Sequence, residues 1–271
     1  MTAALSEIIA FLDEHYPPQL AESWDEVGLV VGDPEAPVTK VGFAVDPCED
    51  TVKEAIERGA QLLITHHPLY LRGTSTVGAH TAKGSWVHKL IKNDCALFAM
   101  HTNADAAIDG SASALANLLQ LENQVPLAPA DPLDGVSNPN LGIGKIGELP
   151  LSMSLRELGQ RLQALLPETA AGILLGGDPE KIVKKVALSP GSGDSFLNTV
   201  RGLDVDVYIT ADLRHHPATD HLWGGGCALI GLTHFASEWP LLVNLREAVA
   251  NNFPVETYIS TLVTDPWNIR I

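Results

Sequence analysis

The chain has 271 residues, of which 45% are hydrophobic and 18% charged, and its formal net charge at pH 7 is −16. This length suffices for one large α/β unit or for two compact domains with buried cores. The hydrophobic content argues against an intrinsically disordered chain. The negative charge argues against a nucleic-acid partner, because it would repel the phosphate backbone.

The cysteines and the N-terminal segment indicate the compartment. Cys48, Cys95 and Cys227 form no CxxC pattern, so we expect reduced thiols in the protein core. The N-terminal segment carries acidic residues where a signal peptide would carry basic ones. No apolar run approaches the ~20 residues that a membrane span requires. These features predict a cytoplasmic protein with no membrane contact.

The pattern of apolar residues predicts alternating helices and strands. Leu5, Ile8, Ile9 and Leu12 have the spacing of an amphipathic first helix. The elements predicted after it are a strand at 41–45, a helix at 51–58, strands at 62–65 and 96–100, helices at 111–121 and 155–166, strands at 183–188, 205–210 and 228–232, a helix at 236–251 interrupted near its start by Pro240, and a strand at 256–260. This alternation predicts an α/β fold with largely parallel sheets.

A proline- and glycine-rich stretch at 125–150 predicts a junction between two domains. A short internal similarity points the same way, since LLITHHP at 62–68 and VYITADLRHHP at 207–217 both combine a strand, a threonine and His-His-Pro. Two halves of similar topology would explain this similarity, and so would chance.

Residues able to bind metal ions follow three of the predicted strands. Ligands of parallel sheets lie at the carboxyl ends of the strands. The residues concerned are His66 and His67, His101 and Asp105, and His234 and Glu238. The i,i+4 spacing of the last pair places both side chains on one face of a helix. A lone histidine at a strand end is more often a polar residue without a ligand role, but three clusters of imidazole and carboxylate groups predict a metal site.

Two further segments leave alternatives open. His215 and His216 follow another strand, where they would either line the same cavity as proton donors or substrate contacts, or lie in a solvated loop. The glycine-rich segment 189–194 would either cradle an anion with its backbone amides or form a tight turn. Nucleophilic serine catalysis has no support, because no GxSxG motif is present.

Five motifs together carry a resemblance to a known family. They are SWDEVGLVVGDP at 23–34, THHPL at 65–69, HTNAD at 101–105, YITADLRHH at 208–216 and GLTHFASEWP at 231–240. In their order and spacing the chain resembles the NIF-three-like family, whose members are often labelled GTP cyclohydrolase I type-two homologues. The resemblance covers nearly the whole chain and corresponds to the short form, which lacks the inserted domain of longer members.

This resemblance implies a dinuclear metal site formed by His66, His67, Asp105, His234 and Glu238, with Glu238 as the bridge. Two divalent cations per chain are expected, and zinc, iron, manganese, nickel and cobalt all suit such ligands. The NIF-three-like fold further implies two similar α/β domains with mostly parallel sheets, and assembly into a homohexamer. On this division, residues 1–125 and 230–271 form the first domain, which carries most of the ligands, and residues 126–229 form the second.

The function expected from these observations is a metal-dependent hydrolase acting on a small molecule such as a nucleotide or a cyclic amide. His101, His215 or His216 would supply a proton shuttle or substrate contacts. A family label does not by itself establish a reaction. The alternative is a non-catalytic metal-binding scaffold or a regulatory protein.

Overall fold

The apolar runs predicted as strands lie in two separate sheets in the computed structural model, which describes residues 2–132 and 138–271. The chain divides into two units, Met1–Ala107 with Leu242–Thr264 and Ile108–Leu241 with Asp265–Ile271. Each unit contains a sheet packed against helices, and the predicted α/β class is confirmed.

The first unit contains strands and helices in near alternation. Its elements are β1 (Ala3–Ala4), α1 (Leu5–His15), a 3₁₀ turn (Pro18–Leu20), β2 (Gly28–Val31), β3 (Pro37–Val38), β4 (Lys40–Ala44), α2 (Glu49–Glu57), β5 (Leu62–Thr65), α3 (Ala82–Lys92), β6 (Ala96–Ala99) and α4 (Thr102–Ala106). The chain returns to this unit through the second part of helix α9 (His234–Asn252) and strand β13 (Glu256–Ile259).

The sheet of the first unit has the order β13-β4-β5-β6-β2. Its pairs are parallel except at one edge, where β2 runs antiparallel to β6. All residues of β5 and β6 are buried, as expected of central parallel strands that are covered on both faces. Leu63 and Leu97 pack with Val52 of α2 and Leu90 of α3 in one core. The carboxyl ends of β5 and β6, two adjacent buried strands, therefore lie side by side.

The second unit contains the remaining elements. They are α5 (Ser111–Leu118), β7 (Glu122–Pro129), β8 (Gly142–Ser154), α6 (Leu155–Leu165), β9 (Leu174–Gly176), β10 (Ile182–Ser192), a 3₁₀ turn (Asp194–Phe196), α7 (Leu197–Arg201), β11 (Val207–Ala211), α8 (His215–Trp223), β12 (Ala228–Leu232) and the start of α9.

The sheet of the second unit has the order β7-β8-β10-β11-β12-β9. The central strands β10, β11 and β12 are parallel, and antiparallel strands flank them on both sides. Tyr208 of β11 is fully buried and packs with Ala187 and Leu229 from the neighbouring strands. Burial raises the pKa of the Tyr208 hydroxyl to about 12, so the group stays a neutral hydrogen-bond donor.

Several boundaries differ from those predicted on the sequence. The stretch 125–150 contains parts of β7 and β8, which pair with each other, although residues 133–137 of that stretch lie outside the described residues. Residues 108–125 and 230–241 belong with the second unit, because β7 pairs with β8, and β12 pairs with β11 and β9. Helix α9 continues through Pro240 without a break. In the described part of the chain, no helix has the length and apolar character needed to cross a membrane.

Candidate metal centre

The ends of β5 and β6 bring three histidines together in the first unit. His66 and His67 directly follow β5, and His101 follows β6 with Met100 between them. One ring nitrogen from each of these histidines lies within 4.8 Å of the other two. Asp105, on the short helix α4, joins them with its Oδ1 3.8 Å from Nε2 of His66. The predicted clustering of these four residues is therefore present in the first unit.

Each of these three rings is held at Nδ1 by an oxygen acceptor. Nδ1 of His66 donates to the carbonyl of Met100 at 2.8 Å, and Nδ1 of His67 donates to Oδ1 of Asp46 at 2.7 Å. Nδ1 of His101 donates to both carboxylate oxygens of Asp25, at 2.9 Å each. In the neutral ring this arrangement leaves the lone pair on Nε2, which is the form that binds a metal ion.

Asp25 is itself fixed by Thr102, which follows His101. The backbone N–H and the hydroxyl of Thr102 donate to Oδ2 of Asp25 at 3.1 and 2.6 Å. Burial acts to raise the pKa of Asp25, but the hydrogen bonds from His101 and Thr102 prevail and lower it. Burial, together with the neighbouring His66, lowers the pKa of His101 against the opposing effect of Asp25. At neutral pH the pair is thus a carboxylate and a neutral imidazole.

Asp46 holds His67 from the end of the neighbouring strand β4. The hydroxyl of Thr264 donates to its Oδ2, and the hydroxyl of Thr51 donates to its backbone carbonyl at 2.7 Å. The first contact fixes the carboxylate, and the second fixes the backbone that carries it. His67 is therefore oriented by a group that is itself immobilised.

The second unit carries a pair of donors on one turn of α9. Nε2 of His234 lies 3.0 Å from Oε1 of Glu238, and Nδ1 of His234 donates to Oδ2 of Asp212 at 2.6 Å. The Glu238 side chain is buried. Two atoms that bind one zinc ion at about 2.0–2.2 Å in a tetrahedral site lie about 3.3 Å apart. The separation of the two atoms is thus suited to one shared ion.

The start of α9 is capped by Thr233, whose hydroxyl accepts a hydrogen bond from the N–H of Ala236 at 3.3 Å. Ser237 is fully buried, and its hydroxyl donates to the carbonyl of His234 at 2.8 Å. Both contacts stabilise the first turn of the helix. The backbone that carries His234 and Glu238 is therefore well defined.

A cavity of about 180 Å³ lies elsewhere in the second unit. It is lined by the end of α6, the loop 167–173, Leu232 and Thr233 at the end of β12, Ala236 of α9, and Arg270. Ala236 lines the cavity. About the axis of α9, its side chain lies about 160° from that of His234, whereas the side chain of Glu238 lies about 40° from that of His234. The cavity and the donor pair therefore lie on different sides of the helix.

The structure also places the remaining predicted site residues. His215 and His216 begin α8, where both are exposed and their ring centroids are 5.2 Å apart. Their predicted role as proton shuttle or substrate contacts stays a prediction. His101, predicted for the same role, lies with His66 and His67 and is a candidate ligand as well. The selection of His66, His67, Asp105, His234 and Glu238 as the ligand set also stays a prediction.

Three aspartates that hold the histidines were not identified from the sequence. Asp25, Asp46 and Asp212 each accept a hydrogen bond from Nδ1 of a histidine. A signal was available for two of them, because Asp46 follows β4 and Asp212 follows β11, at strand ends of the same kind as those bearing the histidines. Asp25 lies within the SWDEVGL motif but next to no predicted strand end.

The cysteines were predicted to be buried, and two of them are. Burial raises the pKa of Cys95 to about 12 and that of Cys227 to about 11. Cys48 is half-buried and precedes α2. All three are free thiols, and none belongs to the histidine clusters described above.

The donor groups are imidazole and carboxylate, a set that suits zinc, iron, manganese, nickel or cobalt. The histidines have their Nδ1 atoms engaged by oxygen acceptors, and the groups they form could hold a metal ion. The chemistry of the donors therefore fits a metal centre.

Comparison with known proteins gives a consistent result. The family model described as Duf34/NIF3 (NGG1p interacting factor 3) matches residues 3–266. A Streptomyces coelicolor protein named GTP cyclohydrolase 1 type 2 homolog is 48% identical over 272 residues, covering 98% of this chain and 94% of that protein. A Mycobacterium tuberculosis protein of the same name is 33% identical over 372 aligned positions, covering 99% of this chain and 98% of that protein. Because these positions outnumber the residues of this chain, that relative carries insertions that are absent here.

Solved structures show the same relationship. A Bacillus cereus protein related to NIF3 superposes with a TM-score of 0.88 at 25% identity, and a Staphylococcus aureus protein with a TM-score of 0.87 at 27% identity. Each match covers 99% of this chain and 99% of the other. The family model, the sequence relatives and the solved structures lead to one conclusion: the chain belongs to the Duf34/NIF3 family.

Proposed function

We propose that the chain binds two divalent metal ions through His66, His67, Asp105, His234 and Glu238, with Glu238 bridging them, and that it hydrolyses a small molecule. The observation that carries this proposal is the fixed orientation of the histidines. The rings of His66, His67 and His234 each donate from Nδ1 to an oxygen acceptor, which directs the Nε2 lone pair toward a ligand position.

The protein's own groups would serve hydrolysis in distinct ways. Divalent ions, when bound, lower the pKa of a coordinated water so that it is a nucleophile at neutral pH. His101 is neutral, and its Nε2 can accept a proton, while the Asp25 carboxylate at its Nδ1 stabilises the resulting imidazolium. His101 is thus the best supported of the predicted proton-transfer residues. The same ring orientation would also allow His101 to bind a metal ion through Nε2.

The names of relatives and the charge of the chain both bear on the substrate class. The name GTP cyclohydrolase 1 type 2 homolog, carried by relatives of this chain, suggests a nucleotide. The net charge of −16 acts against a polyanionic substrate unless bound cations offset it locally. We therefore propose a nucleotide or a cyclic amide as substrate, with metal ions required for its binding.

The proposal is tested by metal loading followed by an activity screen. Protein treated with chelator is reloaded with Zn²⁺, Mn²⁺, Fe²⁺ or Co²⁺, and its metal content is measured by elemental analysis. We expect close to two ions per chain, a marked loss in His67→Ala, and no loss in the control His88→Ala, which changes an exposed histidine of α3. A content near zero in the wild-type protein under all four metals would refute the proposal.

Loaded protein is then incubated with nucleotides, phosphoesters and cyclic amides. Hydrolysis that needs metal and is slowed in His101→Ala supports the enzyme. Full loading without turnover of any compound would favour the alternative considered on the sequence, a non-catalytic metal-binding scaffold or regulatory protein.

A further inference from the structure

The end of β10 contains a bulge within the second unit. Ser189 opposes Thr210 of β11, but Ser192 opposes Ala211, so Pro190 and Gly191 are extra residues in the ladder. Gly191 has a φ of +69°, a conformation that L side chains rarely adopt. Bulges occur frequently beside functional sites, where they redirect part of a strand.

The backbone of Gly191 forms hydrogen bonds through both its N–H and its carbonyl. Its N–H donates to Oγ of Ser237 at 2.8 Å, and its carbonyl accepts a hydrogen bond from the hydroxyl of Thr210 at 3.2 Å. Ser237 lies between His234 and Glu238 in the sequence and also donates to the carbonyl of His234. The bulge is thus attached to the helical turn that carries the donor pair.

Gly191 leaves no room for a side chain at this point. A Cβ atom added to it would lie under 3.0 Å from Oε1 of Glu238, a separation that real Cβ atoms essentially never show, and 3.5 Å from Nε2 of His234. These two atoms are 3.0 Å apart and are the ones that would face a metal ion. The backbone of Gly191 is therefore in direct contact with the Glu238 carboxylate.

We propose that Gly191 is a positioning residue that determines where the Glu238 carboxylate lies, and that the bulge at 189–192 brings its backbone to that place. The inference rests on the proposed metal binding. This role also accounts for the glycine-rich segment 189–194, whose sequence fits either an anion cradle or a tight turn. The N–H of Gly191 donates to Ser237, so this amide supports the turn that carries the donor pair.

The test compares Gly191→Ala with Gly172→Ala. Gly172 has nearly the same φ, +66°, and belongs to the same unit, but a Cβ there would have nothing within 4 Å. Both variants carry the backbone strain, and only Gly191→Ala displaces Glu238. We expect affinity for Co²⁺ to fall about tenfold or more in Gly191→Ala, with an altered Co²⁺ absorption spectrum, and to be unchanged in Gly172→Ala. Affinity within twofold of wild type and an unaltered spectrum in Gly191→Ala would overturn the inference.

A compensating change makes the test specific to the carboxylate. Glu238→Asp shortens the side chain by one methylene and withdraws it from the added Cβ. The double variant should bind Co²⁺ more tightly than the combined losses of the two single variants predict. Strictly additive losses would contradict the steric contact as the cause.

A metal-free measurement separates this inference from the proposed function. In crystals grown from chelator-treated protein, the Glu238 carboxylate of Gly191→Ala should be displaced from its wild-type position, while that of Gly172→Ala should not. If the wild-type protein binds no metal, the proposed function fails, yet this displacement still decides the role of Gly191. An unmoved carboxylate in Gly191→Ala would refute it.

Discussion

The segments 62–68 and 207–217 have similar sequences and similar places in their own sheets, but their histidines differ in environment. Strand β5 lies between parallel neighbours in the first sheet, and β11 does so in the second. Thr65 and Thr210, at or near the ends of these strands, are both fully buried. The internal similarity seen in the sequence therefore reflects equivalent central strands.

The difference arises directly after the strands. In the first segment, His66 and His67 follow β5 at once and are oriented by Met100 and Asp46. In the second segment, Asp212–Arg214 intervenes, and the two histidines begin an exposed helical turn. There Asp212, with a φ of +55°, accepts the hydrogen bond from His234. The repeated motif thus identifies a strand end. The residues that contact it in the folded chain determine whether its side chains are candidate metal ligands or acceptors that orient a ligand.

The largest expected effect is on metal content, when a residue proposed to bind the ions is replaced. Glu238→Gln keeps the shape of the side chain but removes the charge that would offset repulsion between two cations, so we expect both ions to be lost. His67→Ala should lose mainly one. Elemental analysis measures both, and circular dichroism checks that the variants are folded. Retention of both ions in Glu238→Gln, with loss of both in His67→Ala, would transfer the bridging role to Asp105.

The next effect concerns the aspartates that orient histidines in the two units. Asp46→Asn and Asp212→Asn retain an oxygen acceptor but remove its charge, which lowers the basicity of the ring. We expect metal affinity to fall by about 10–100-fold in each. Asp94→Asn is the control, because Asp94 is exposed and has a φ of +50°, close to that of Asp212. Equal affinities in Asp212→Asn and Asp94→Asn would show that Asp212 is a structural residue only.

The candidate site was predictable from the sequence where its residues lie at strand ends. His66, His67 and Asp105 were found because buried apolar runs mark β5 and β6, and parallel strands end at the same edge of a sheet. The contacts of the second unit were not predictable. Asp212 follows β11 at a strand end, but its contact with His234, like the contact of Gly191 with Ser237, joins residues more than twenty positions apart. Only the tertiary fold determines which distant residue contacts His234.

The fold shows the same limit. Strands β5 and β12 match their predicted bounds, since they are short apolar runs with clear ends. Strand β8 was missed because its glycines and Pro150 resemble a junction, and its stability comes from pairing with β7 and β10. Helix α3 was missed because it buries few residues, among them Val87 and Leu90. Local propensity is a weak guide where neighbouring strands or helices supply most of the stabilisation.

A smaller effect on metal binding is expected from the exposed histidines of the second segment. His215→Ala and His216→Ala should leave metal content unchanged, because both rings lie at the exposed start of α8. His66→Ala, which changes the corresponding residue of the first segment, should reduce it strongly. If the loaded protein hydrolyses a substrate, slower turnover in His216→Ala with full metal content would support the predicted proton-shuttle role. A loss of metal in His215→Ala or His216→Ala would show that histidines of both segments contribute to metal binding.

The smallest effect comes from the N-termini of α1 in the first unit and α6 in the second. At α6, the N–H of Glu157 donates to Oγ of Ser154 at 3.2 Å, and the N–H of Ser154 donates to Oε2 of Glu157 at 2.7 Å. At α1, Ala4 offers no side-chain acceptor, and only its N–H donates to Glu7, at 2.9 Å. Ser154→Ala gives α6 the incomplete cap of α1 and should destabilise the protein by about 1 kcal/mol. Denaturant unfolding midpoints measure this difference.

The pH dependence of that difference tests the cap itself. Hydrogen bonds from the backbone and the hydroxyl of Ser154 lower the pKa of Glu157 below its ordinary value. A carboxyl group with a lowered pKa stabilises the folded state above its ordinary pKa, and this contribution is lost as the pH falls through the lowered value. Ser154→Ala removes the hydroxyl bond to Glu157 and keeps the backbone bond. The difference in unfolding free energy between wild type and Ser154→Ala should therefore decrease as the pH falls through the lowered pKa of Glu157. The difference that remains in acid is the contribution of the hydrogen bond from the N–H of Glu157 to Oγ of Ser154. A difference that stays constant from neutral pH to pH values below the lowered pKa would show that the carboxylate takes no part in the cap.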